Sequence, residues 1–376
     1  MKTLFVLFLT ACLLISCKSP TTQKEGAYLS KEAFEKEIDG KKTSLYSIEN
    51  KNGIKVYFTN YGARIVALLT PDKNGNLDDI VLGYKTLDEY LEYDWYLGCI
   101  VGRYANRVAL GKFTLEGVEY QLTQNENKTH LHGGVKGFNQ KVWDVKREDN
   151  SITFSYLSPD GEQGYPGNLM VKKTYTLTDE NELKIEYDAE TDKPTIINLS
   201  HHSIFNLKGE GNSTILDHYL MINADMFTPI DNTFIPTGKL TPVENTPFDF
   251  TSGKQIGQDI EEEDEQLQIG LGYDHNWALN KAEEDNIIFA AKLWEETTGR
   301  AMEIYTTEPG IQFYSGNFMN GAVKGKSEKA YKLRYGLALE TQHYPDSPNH
   351  DNFPSTVLNP GEKYYHLAIY KFGVID

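Results

Sequence analysis

From Thr43 onwards, apolar and polar residues alternate with a period of two along most of the chain. Met170 to Leu177 alternates, Asp179-Glu180-Asn181 supplies turn residues, and Glu182 to Glu190 alternates again. Successive side chains of a strand point to opposite faces, so this stretch predicts a hairpin. Lys112 to Leu115 and Val118 to Leu122, separated by Glu116-Gly117, predict a second one. Thr195 to Leu207 and Tyr364 to Phe372 are further predicted strands. Helical spacing is scarce, and Thr86 to Tyr93 is its best short instance. Strands recur with turns between them, and no Pro/Gly/Ser-rich linker intervenes. The fold class expected is all-β: one large antiparallel two-sheet β-sandwich over residues 43–376. The abundance of Tyr (24), Phe (17) and Gly (31) agrees, since aromatics suit pleated surfaces and glycine suits tight turns.

The first residues break this pattern. Met1-Lys2 is followed by an apolar run, Leu4 to Ile15, too short to span a bilayer and shaped like a secretory signal. It ends in Leu14-Ile15-Ser16-Cys17. This resembles a bacterial lipoprotein signal, in which the Cys becomes the lipidated first residue; a plain signal cut near Ser16 is the alternative. Residues 1–16 are expected to be removed. Residues 17–42, largely polar with Ser, Thr, Gln, Lys and Glu, are expected to form a tether, with Lys31 to Ile38 able to make a short helical turn. The expected location is the periplasmic side of a bacterial membrane, with Cys17 as the lipid anchor.

Charge narrows the ligand class. The formal net charge is -17, which repels nucleic acid and anionic head groups, so a neutral substrate fits better. The acidic run Glu261 to Glu265 reads as a solvated loop or a helix start. With Cys12 in the signal and Cys17 lipidated, Cys99 stands alone as a small core residue, and no disulfide framework is expected.

Candidate chemistry centres on histidines and carboxylates. His130 and His132, two apart, could line one face of a strand; the adjacent His201 and His202 cannot share a face unless the strand bends. Zinc is not expected: no Cys pair and no His-Glu-x-x-His occurs. Serine-nucleophile elbows and phosphate-binding glycine loops are absent as well. Glu340 ends the apolar run Gly336-Leu337-Ala338-Leu339 and is either paired structurally or poised by burial. On local grounds alone, Asp274 is a turn or cap residue, and Arg107 could make a structural salt bridge.

Several separated motifs change this weighting by their joint order. They are Asn60-Tyr61-Gly62-Ala63, Gly102-Arg103-Tyr104-Ala105-Asn106-Arg107, Leu131-His132-Gly133-Gly134, and His202-Ser203 followed by Phe205-Asn206-Leu207. Then come Asp274-His275-Asn276, Pro309 to Asn317, Leu339 to Asp346, and Asn352-Phe353-Pro354-Ser355-Thr356. From about Leu45 to Phe372 the chain resembles the aldose 1-epimerase (galactose mutarotase) family. The resemblance implies a two-sheet sandwich with an open sugar cleft, Glu340 as general base and His202 as general acid. It implies sugar-binding roles for Asn106, Arg107, His132, Asp274 and Gln312. The implied substrate is a free monosaccharide such as galactose or glucose, with no metal or other cofactor, and a monomer is expected. A carboxylate near His202, for which Asp274 is the candidate, is expected to keep the imidazole partly protonated. Two positions depart from the family: His201 stands where Asn is usual, and Ile204 where Tyr is usual, which puts substrate preference in doubt more than chemistry. The alternative is a non-catalytic carbohydrate-binding module on the same fold, which would dispense with the acid or the base.

Overall fold

The computed structural model describes residues 29–281 and 286–375. The signal segment, Cys17 and the first part of the tether lie outside the described residues. The rest of the tether does not match the expectation. Residues 29–42 fold onto the domain, with a 3-10 turn at Glu32–Phe34 and a small hairpin of Glu37–Ile38 and Lys41–Lys42. Phe34 is the reason: its ring is fully buried against Tyr90, and Thr43 Oγ1 donates to the Phe34 carbonyl at 2.7 Å.

The domain is antiparallel throughout its ladders. A nine-stranded sheet holds the predicted hairpin, Leu169–Leu177 with Glu182–Thr191, and continues through Tyr364–Val374 and Arg300–Thr306. In Leu169–Leu177 every second residue is buried, and Leu177 pairs with Leu183 across the turn. A six-stranded sheet contains Ile204–Phe205, Leu337–Gln342, Gly310–Tyr314 and Asp274–Ala278 as consecutive neighbours. Ile185, Tyr187, Ile304 and Tyr370 of the larger sheet share one continuous core with Ile311, Phe313, Leu337 and Leu339 of the smaller. Full burial of one such side chain is worth about 1.5–3 kcal/mol, so the packing of the two sheets is a large stabilising contribution. The second predicted hairpin forms with Glu116 and Gly117 both at positive φ, the geometry of a two-residue primed turn.

The two short α-helices begin where side chains cap them. Thr86 and Glu89 form a reciprocal capping box before Leu87–Glu92. Asp264, within the acidic run, accepts from Gln266 and Leu267 N–H groups to start Glu265–Gly270.

One predicted strand is broken. Thr195 to Leu207 divides into Thr195–Ile196, Ser200–His202 and Ile204–Phe205, which pair with Val357–Leu358, Cys99–Val101 and Leu337–Gln342 respectively. Each change of partner marks a break in the strand, and His202 ends the middle piece, paired with Cys99.

Candidate active site

Three adjacent strands supply the floor of a cleft of about 340 Å³. Leu337–Gln342 is buried along its whole length, and its period of two sends Leu337 and Leu339 into the core, with Ala338 and Glu340 on the other face. Register extends that face across the sheet. Gln312 pairs with Glu340 and Asn276 with Gln312, while Asp274 pairs with Tyr314 and Tyr314 with Ala338. Asp274 is therefore the first residue of a strand rather than a turn residue.

His202 enters from the Ser200–His202 strand, which Ser200 Oγ fastens to the Thr341 carbonyl at 2.9 Å. Its Nε2 stands 3.7 Å from Glu340 Oε1. His201 points the other way, into the core, where Nδ1 meets Lys173 Nζ at 3.2 Å and Nε2 meets Ser203 Oγ at 2.6 Å. Adjacent strand residues thus oppose one another, as their spacing requires.

The other histidine pair does not share a surface. His130 is buried between the Thr123 carbonyl and Tyr165 Oη, both at 2.6 Å, away from the cleft. His132 adopts a φ of 50° and leaves the strand, which redirects its ring into the cleft. The following Gly133 is obligatory: a Cβ there would lie 1.7 Å from the Gly102 carbonyl oxygen. His132 Nδ1 accepts the Asn106 N–H at 3.1 Å, so its proton sits on Nε2. The ring therefore offers the cleft a donor.

His132, His202 and Glu340 have their donor atoms within 4.8 Å of one another, the ligand count of an open metal site. The Asn106 hydrogen bond opposes that use, because the Nε2 that faces the cleft is protonated in this tautomer.

Arg107 reaches the cleft from beside Asn106 and makes the ion pair foreseen for it, with Glu126: Nε to Oε2 at 2.5 Å and Nη2 to Oε1 at 2.8 Å. Gln312 is placed differently from the other sugar-binding candidates. It is buried beside Glu340 in the sheet and donates from Nε2 to Asp274 Oδ1 at 2.8 Å. Glu340, His202, Asn106, Arg107, His132 and Asp274 all line the cleft itself.

Sequence reasoning missed the remaining wall. Asp94, Trp95 and Tyr96 form one side, held because buried Arg64 bonds Asp94 at 3.1 Å. Tyr96 packs its ring 4.8 Å from His132 and 5.9 Å from His202. Tyr314 and Phe318, stacked at 6.0 Å, form another side. Their signal was an aromatic-rich segment near each motif, which core packing explains equally well. Ile204 lines the cleft opposite Ala338.

Burial governs the titration of these groups. It raises Glu340 well above the ordinary carboxylate range, with Asp274 adding to the rise and Arg107 opposing it. It pushes His202 down to about 4 and His132 well below its usual value, where the neighbouring His202 and Arg107 add to the effect. Asp274 is itself raised by burial, against the pull of Arg107 and the Gln312 hydrogen bond. The expectation that Asp274 keeps His202 protonated is therefore corrected. Asp274 acts on Glu340, the carboxylate that favours the imidazolium is Asp94, and burial outweighs both. Burial thus works against the charged form of both groups, the carboxylate of Glu340 and the imidazolium of His202.

An antiparallel sandwich with a histidine–carboxylate pair in a cleft of sugar size defines the class of galactose mutarotase-like proteins. The chain belongs to the aldose 1-epimerase family, whose model, described as Aldose 1-epimerase, matches residues 44–371. It is 44% identical over 321 residues to a galactose mutarotase of Sus scrofa, covering 85% of this chain and 92% of that one. It is 37% identical over 337 residues to an aldose 1-epimerase of Escherichia coli K12, covering 89% and 96%. A solved aldose epimerase homologue from C. elegans superposes with a TM-score of 0.82 at 34% identity, covering 89% of this chain and all of that one.

Proposed function

We propose that this protein is an aldose 1-epimerase that interconverts the α and β anomers of free aldohexoses, galactose and glucose among them. The observation that carries the reading is the 3.7 Å approach of His202 Nε2 to Glu340 Oε1 on a cleft floor rich in sugar-hydroxyl partners. Relatives named galactose mutarotase and aldose 1-epimerase support the same chemistry.

Ring opening requires that O1–H lose a proton and the ring oxygen gain one. Glu340 takes the O1 proton and His202 gives one to the ring oxygen. The open-chain aldehyde turns about C1–C2, and closure on the other face returns both protons. The competent tautomer has the proton on His202, and it is reached by moving one proton between two groups without net change of charge. Each positioned acid or base contributes on the order of 10²–10⁴ in rate. His132 Nε2–H, Arg107 and Asn106 Nδ2 donate to sugar hydroxyls, Asp274 accepts from them, and Gln312 holds Asp274 in place.

The same reading includes export, with residues 1–16 removed, Cys17 lipidated, and the epimerase held on the periplasmic side of a bacterial membrane as a monomer. Metabolic labelling with a tagged fatty acid, in wild type and Cys17→Ser, tests the anchor, and sedimentation tests the monomer. The catalytic reading is tested by polarimetry of freshly dissolved α-D-galactose. Wild type speeds relaxation to the same final rotation and Glu340→Gln does not; a wild type without effect on galactose, glucose or pentoses overturns it.

A further inference from the structure

Among the described residues lining the cleft, one is a lysine or arginine and four are acidic: Arg107 against Asp94, Glu126, Asp274 and Glu340. Asp94 is already bound to Arg64 and to the amides of Asn139 and Gln140. Arg107 is closed off by Glu126, which occupies Nε and Nη2 in a two-point ion pair, while the Phe234 ring covers a guanidinium face at 4.9 Å. Glu126 is itself fixed, since Thr129 Oγ1 donates to its carboxylate at 3.2 Å and to its backbone carbonyl at 2.8 Å. The Arg107 side chain is 6% exposed and that of Glu126 30%, so the pair sits at the wall, with the carboxylate toward solvent.

Resting on the epimerase reading, we propose that Glu126 is a specificity-determining residue. By neutralising the one guanidinium at the cleft, it reserves the site for uncharged aldoses and turns away sugars carrying a carboxylate or phosphate. A two-point arginine–carboxylate pair has the geometry an anionic sugar would need for itself, so such a sugar must displace Glu126 or lie in the cleft with its charge unpaired. A neutral hydroxyl needs only one N–H, and Nη1 has no protein partner in the pair. Discrimination therefore acts on charge and leaves hydroxyl recognition intact.

The test compares D-galactose with D-galacturonate by polarimetry at neutral pH and constant ionic strength, using wild type, Glu126→Gln and Thr129→Val. Wild type is expected to show kcat/KM for galacturonate at least 100-fold below that for galactose. Glu126→Gln is expected to narrow the ratio at least tenfold, chiefly through a lower KM for the uronate. Thr129→Val loosens the same turn without changing charge and is expected to move both sugars together. A wild type that handles both sugars equally, or a ratio unchanged in Glu126→Gln, overturns the proposal. If wild type accelerates neither sugar, the epimerase reading fails. Calorimetric affinities of the two sugars for wild type and Glu126→Gln then decide the charge selection by the same ratio.

Discussion

His202 Nε2 stands 3.7 Å from Glu340 Oε1, yet the two side chains come from strands separated by more than a hundred residues. The titration of each is set by burial against the core and by the other charges of the cleft. With Glu340 as the proposed base, activity and stability are opposed at this residue.

Glu340→Gln is expected to lower kcat by about 10²–10⁴ while raising Tm by about 2 °C or more. The folded carboxyl titrates above its unfolded value, so its contribution is present below the unfolded value of 4.5 and is lost as pH rises through the folded one. The gain in Tm should therefore grow as pH rises from 4.5. A melting series that shows the variant no more stable than wild type at any pH removes the argument.

In the proposed mechanism the competent pair holds one proton. Acid inactivates it when His202 takes a second proton, and burial places that event near pH 4. The acid limb of kcat/KM for galactose should fall well below pH 6.5, the usual range of an exposed imidazole. A limb centred on 6.5 would show that the cleft is wetter than its geometry implies.

Gln312→Leu removes the 2.8 Å hydrogen bond that holds Asp274 Oδ1. A hydrogen bond to a charged group is worth about 1.5–3 kcal/mol, which translates into roughly a 10- to 100-fold rise in KM. The loss should appear in KM, with kcat changed less, because the Gln312 amide bonds Asp274 rather than Glu340 or His202. Steady-state kinetics separate the two.

Lys173 is buried with its amine between His201 and the rings of Tyr175 and Tyr187, and desolvation depresses it well below the usual lysine range. The unfolded chain binds the proton that the folded chain excludes, so wild-type stability rises with pH across that window up to about 10.4. Lys173→Met should stabilise the fold at pH 7 by about 1 kcal/mol, with the advantage shrinking toward pH 10. Urea midpoints at the two pH values give the comparison.

Much of this was legible in order along the chain. The 169–191 hairpin was readable because Val171, Tyr175 and Leu177 recur on one face, and the Glu116-Gly117 turn because an acidic residue followed by glycine separates two alternating runs. Residues 29–42 were misread because one apolar side chain, Phe34, outweighs a polar neighbourhood once a pocket exists for it. The long strand at 195–207 was misread because its alternation does not encode the change of partner at Ser203. His130 and His132 looked equivalent by spacing, and only the left-handed backbone at His132 separates them.

By itself, the sequence determined the all-β class, the order of the motifs and the residue types available for proton transfer. Those follow from side-chain alternation and chemical identity, which are local. Tertiary structure alone decided which histidine stands beside Glu340, that Gln312 bonds Asp274, that Glu126 closes on Arg107, and that burial raises Glu340 and lowers His202. Each of these depends on register between distant strands and on the exclusion of water, and neither exists until the sheets have packed.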